Sequence, residues 1–128
     1  MINEDFWGEQ TVDSVDAIHV MMKRRTRNGC NEVAMYCEGD YPQLRILLKD
    51  SVACVHYFSD EDDCGRYAYD ASSHRVKTTD LIEFEISLDG EIVEVSDGLI
   101  VNESIATEIA QFFFYNQTKS SIVCWYEL

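Results

Sequence analysis

Residues 58–67 read FSDEDDCGRY, with four consecutive carboxylates at Asp60, Glu61, Asp62 and Asp63, then Cys64 and Gly65. Acids at that density can hold a hard cation, sit in water as a turn, or meet a basic partner. A calcium loop needs oxygen ligands at its first, third, fifth and twelfth positions and glycine at the sixth. Counted from Asp60, glycine falls correctly at Gly65, but the fifth position is Cys64 and the twelfth is Ala71. The calcium reading fails. Zinc fares no better: Cys54 and His56 share a strand face, and Cys30 and Cys37 lie seven apart, but no CxxC or HxxxH completes a ligand set.

Thiol or serine catalysis needs a base beside the nucleophile and a third group to orient it. His19, His56 and His74 fall on a predicted helix, strand and loop, and there is neither a GxSxG nor a Gly-rich phosphate loop. Carboxylates crowded on one loop repel each other instead of dividing acid and base roles. The expectation is a protein that is not an enzyme, with no catalytic residues, metal or cofactor.

The remaining use for the acids is a basic partner, and the overall charge agrees. The chain has 128 residues and a net charge of −14, from 24 acids against 10 bases. Residues 1–59 hold 9 acids and 6 bases (net −3), and residues 60–128 hold 15 and 4 (net −11). A field of that sign repels nucleic acid and anionic membrane and speeds encounter with basic proteins. Plain solubility is the alternative use of such charge. The N-terminus, MINEDFWGEQ, lacks the positive charge and apolar run of a signal peptide, and the five cysteines are an odd number. A cytosolic, reducing setting is expected.

The elements that must position these residues follow from periodicity. In VDSVDAIHVMMKRRTRN, Val15, Ile18, Met21 and Met22 recur at helical spacing, with Asp13 as the expected cap and cations at the C-terminal end. EVAMYC, QLRILLK, SVACVHYF and RYAYDA read as strands, the third apolar on both faces and hence central. SSHRVKTTD reads as a polar loop. LIEFEISLDGEIVEVSDG predicts a hairpin turning on Asp89-Gly90, which pairs Glu85 with Glu94 and puts Ile82, Phe84, Ile86, Val93 and Val95 on the core face. Glu83, Glu85 and Glu94 then share the outer face, where opposed like charges cost ~0.2–1 kcal/mol. NESIATEIAQFFFYNQ is a second helix capped by Asn102, and SIVCWYEL closes the chain as an expected interior strand. The order α-β-β-β-β-β-β-α-β implies an α+β single domain, a mostly antiparallel sheet of about six or seven strands with two helices on one face.

Two segments in that order, YPQLRILLKDSVACVHYF and IVNESIATEIAQFFFYNQTKSSIVCWYEL, resemble the Imm1 family of bacterial immunity proteins. The shared pattern is a Pro-x-Leu strand, a second apolar strand with an aromatic end, a late helix rich in Ala and Phe, and a last strand bearing Trp125 and Glu127. The resemblance implies a cytosolic antidote that binds the C-terminal toxic domain of a secreted polymorphic toxin, a nucleic-acid-attacking deaminase or nuclease, as a monomer in a one-to-one complex. It brings no catalytic residues. The expected contact residues are Asp60, Glu61, Asp62 and Asp63 on one loop and Glu83, Glu85 and Glu94 on the hairpin, acting against a basic substrate cleft. A small acidic secretion chaperone binding an unfolded client segment is the alternative.

Overall fold

The structure, a computed structural model, describes residues 1–70 and 80–127. The predicted SSHRVKTTD loop falls almost wholly on 71–79, outside the described residues. The chain opens with a hairpin, β1 (Ile2–Asp5) and β2 (Gly8–Thr11), that its alternation did not announce. Helix α1 (Val15–Lys23) follows, then β3 (Cys30–Tyr36), β4 (Gln43–Lys49), β5 (Val52–Phe58) and β6 (Arg66–Tyr69). The second half holds β7 (Leu81–Glu85), β8 (Ile92–Ser96), β9 (Val101–Asn102), α2 (Glu103–Asn116) and β10 (Cys124–Glu127).

Eight of these strands form one antiparallel sheet in the order β10-β6-β5-β4-β3-β1-β2, with β9 against β5. The α+β architecture with both helices on one face is as expected. β5 is central: β4 takes one edge, while β6 and β9 divide the other. The closing strand β10 is an edge strand, not an interior one, because β6 is its only partner among the described residues.

Alternation assigns each face. Val33, Met35, Leu44, Ile46, Leu48, Ala53 and Val55 point to one side and pack beneath Ile18, Met21 and Met22 of α1 and Ala106, Ile109, Ala110 and Phe113 of α2. Phe113 meets Tyr57 edge-on with ring centroids 6.4 Å apart. Fully burying one such side chain contributes ~1.5–3 kcal/mol. The helix caps differ slightly from expectation. Asn102 accepts from the Ile105 amide at 2.9 Å, but α1 is capped by Ser14, whose hydroxyl accepts from Ala17 N at 3.1 Å. Asp13 lies one residue too early to reach that amide. Cations at the end of α1 tie the helices together: Lys23 and Arg25 meet Glu103, at the start of α2, at 2.6 and 3.2 Å.

The predicted β7–β8 hairpin forms, as a separate two-stranded sheet. Its register differs by two residues: Phe84 opposes Val93, Glu83 opposes Glu94, and Glu85 opposes Ile92. A two-residue turn of the expected type needs positive φ at both Asp89 and Gly90. Only Gly90 adopts it (φ +89), and Ser87 Oγ accepts from the Asp89 and Glu91 amides to hold a longer loop. A slip of two preserves the faces, so Phe84 and Val95 are still buried.

Candidate partner-binding face

The hairpin packs on the sheet face opposite the helices. Phe84, Val95 and Leu99 rest there on Cys54, with Leu47, Tyr67, Tyr69 and Ile82 around them. The hairpin therefore covers part of this second face and leaves part of it open. Strand registers place one transverse row on it: Glu9, Glu4, Ala34, Arg45, His56, Tyr67 and Tyr126. The row runs from an acidic end on the first hairpin to an aromatic end near the opposite edge.

Two adjoining cavities lie along it, of about 160 and 210 Å³. Glu32, Arg45 and Ile86 line both, so they form one trough. The larger part is walled by His56, Phe58 and Tyr67 on one side and Ile86 and Val93 on the other. The His56 ring stacks on Tyr67 and tilts against Phe58, with both centroid separations 4.1 Å. Its Nε2 lies 3.2 Å from the Cys64 carbonyl, which accepts from the neutral ring's N–H. Burial pulls the His56 pKa below its ordinary value, helped by Arg45 and opposed by the Cys64 hydrogen bond and Asp63. Gly65 lets the acidic loop lie against this ring: a Cβ there would fall 2.1 Å from Nε2, and its φ is +93.

Cys54 and His56 both line the larger cavity, an arrangement that could favour thiol chemistry. The Cys54 thiol is 1% exposed, and burial pushes its pKa up to about 12. That is the wrong direction for a nucleophile. Among the described residues, no three His, Cys, Asp or Glu side chains are grouped to hold a metal ion.

The predicted contact residues divide by role. Asp63 faces inward, accepting from Ser59 N and Oγ at 2.9 Å each, Gly65 N at 3.0 Å and Arg66 Nη1 at 3.1 Å. Those backbone donors from Ser59 and Gly65, then the Ser59 hydroxyl, hold its carboxyl far below the ordinary aspartate range. Asp60 accepts from Asp62 N at 2.9 Å. Glu61 and Asp62 are exposed. On the hairpin, Glu83 and Glu94 are opposed and exposed, while Glu85 is half-buried and accepts from Asn28 Nδ2 at 2.8 Å. The hairpin lines the trough through Ile86 and Val93, while the loop only backs its wall, through Gly65 against the His56 ring.

Sequence reasoning missed the trough itself. Alternation in QLRILLK could have grouped Gln43, Arg45 and Leu47 as a second face, but nothing in one strand tells which residues of other strands join them. It also missed the acids around Tyr36, whose hydroxyl meets Glu9 at 3.0 Å and Glu4 at 3.4 Å. Burial first, then those two carboxylates, push its pKa up to about 12.

No protein-family model matches the chain. It is 30% identical over 129 residues to the double-stranded DNA deaminase immunity protein of Burkholderia cenocepacia (strain H111), a match that spans 100% of both chains. With that likeness along its full length, the chain belongs to the immunity-protein family of that relative.

Proposed function

We propose that the protein is a cytosolic antidote that binds the toxic C-terminal domain of a cognate secreted bacterial toxin, a deaminase acting on nucleic acid, and blocks its basic substrate cleft. The full-length likeness to a double-stranded DNA deaminase immunity protein carries this reading. The acids support the means: an enzyme that holds a polyanion presents cations, and a net charge of −14 competes for them. Inhibition is steric and electrostatic, with no chemistry by the antidote. Exposed Glu61, Asp62, Glu83 and Glu94 supply outward charge, while Asp60, Asp63 and Glu85 also hold the contact elements in shape. Within the immunity proteins, the pattern ending in Trp125 and Glu127 supports placement beside the Imm1 type.

The test is to mix the purified chain with a double-stranded DNA deaminase domain and follow deamination of duplex DNA together with complex size. A folded one-to-one complex with deamination abolished is expected. Undiminished deamination, or a dimer of the chain that captures only unfolded toxin segments as a secretion chaperone would, overturns the reading.

A further inference from the structure

Resting on the antidote reading, we infer that the trough beside the β7–β8 hairpin is an anchor pocket for one arginine side chain of the toxin domain. Four observations carry this.

The larger part measures about 210 Å³, below the ~300–1,000 Å³ of small-molecule sites, so it suits one large side chain. Its walls are flat: His56 and Tyr67 are stacked with planes 25° apart, and Phe58 adjoins them. Both faces of His56 are taken by these two rings, so the aromatic surface left for a guanidinium is that of Tyr67 and Phe58, which the compact ammonium of lysine fits less well.

Charge around the trough selects a cation. Glu4 and Glu32 line it, with Glu9 opposite Glu4 in the row. Its own cation, Arg45, is already compensated, with Nη1 2.9 Å from Glu32 Oε1 and Nε 2.9 Å from Gln43 Oε1. His56 adds no opposing charge near neutral pH, since its imidazole is held neutral.

Glu32 is the carboxylate that gains most from a second cation. Burial first, then Glu4, raise its pKa against the lowering effect of Arg45. Among the described residues only its Oε1 is engaged. A guanidinium reaching Oε2 would complete its pairing in a partly dry setting, where a charge-assisted hydrogen bond is stronger than in water.

The open wall is also accessible. Val93, on the sheet-facing side of the hairpin, is 36% exposed. Val93 shares its hairpin face with the buried Phe84, so an apolar rim of Val93 and Ile86 can exclude water around a buried anchor.

Calorimetric titration of the full chain with a purified double-stranded DNA deaminase domain tests the pocket. Glu32→Gln and Tyr67→Ala should each weaken binding by roughly tenfold or more. Glu108→Gln, on α2, should leave it within about twofold. Arg→Ala scanning of the deaminase should find one arginine whose loss adds nothing to that of Glu32→Gln. Thermal melts check folding, and Val93→Lys, at an exposed position, keeps the test decisive if Tyr67→Ala unfolds. Wild-type affinity in both Glu32→Gln and Val93→Lys overturns the pocket and leaves the antidote reading standing. Loss with Tyr67→Ala but not Glu32→Gln means an apolar occupant, and it overturns the arginine. A wild type that does not bind overturns both readings.

Discussion

Asp63 illustrates how one acid in a run of four can differ from its neighbours. Its oxygens collect two amide donors, a hydroxyl and Arg66 Nη1, so its folded pKa is depressed. By linkage, a depressed carboxylate stabilises the fold fully above its unfolded pKa of about 3.9, and that contribution is lost as pH falls through the lower folded value. Asp63→Asn should therefore lower Tm near neutral pH, and the gap to wild type should shrink as pH drops below about 4. Thermal melts across acid pH check this, and a gap that stays constant with pH would show that Asp63 does not hold the loop as an anion. Because Gly65 seats this loop under His56, a loosened loop also disturbs the aromatic wall of the trough.

At the scale of elements, the β7–β8 hairpin sets stability against a charged outer face. Glu83 and Glu94 face one another across the pair, a placement that costs stability. Glu94→Lys should convert repulsion into attraction and stabilise the fold by ~0.2–1 kcal/mol. It should also slow association with the toxin domain. Chemical denaturation and stopped-flow binding measure the two effects separately. A variant both more stable and equally fast would mean that this face meets no cations. The hairpin also shows which sequence signals survive folding. Period-two alternation correctly gave Phe84 and Val95 to the core, because a slip of two leaves faces unchanged. Register was decided by Ser87 capturing the Asp89 and Glu91 amides, a local bond that competes with the Asp89-Gly90 turn.

Across the whole molecule, the charge asymmetry becomes a spatial one. Acids of the 60–63 loop, of the hairpin and of β1 and β2 border the sheet face that the helices leave free, while Lys23, Arg24 and Arg25 at the end of α1 are spent on Glu103 and Asp5. Long-range steering by such a field is screened by salt. Raising salt from about 0.05 to about 0.5 M should slow association with the toxin domain by on the order of tenfold or more, with little change in dissociation. Neutralising Asp60, Glu61, Asp62 and Asp63 to Asn or Gln should flatten that dependence. Surface-plasmon kinetics over a salt series measures both. A salt-independent association rate would overturn electrostatic capture.

The sequence by itself determined the parts whose cause is local. Helix spacing, the Asn102 cap, the apolar doubling of β5, the alternation of the hairpin and the net charge are all read within a few residues, because periodicity and caps act over one or two turns. It missed the opening hairpin, where GEQT offers no apolar alternation, and it placed β10 inside, where only sheet order could show it is an edge. Tertiary structure alone decided that the face bearing Arg45, His56 and Tyr67 is covered in part by β7–β8 and open in part. The reason is physical: a trough between a sheet and a hairpin is made of residues from strands far apart in the chain, brought together by non-local pairing that no single strand encodes.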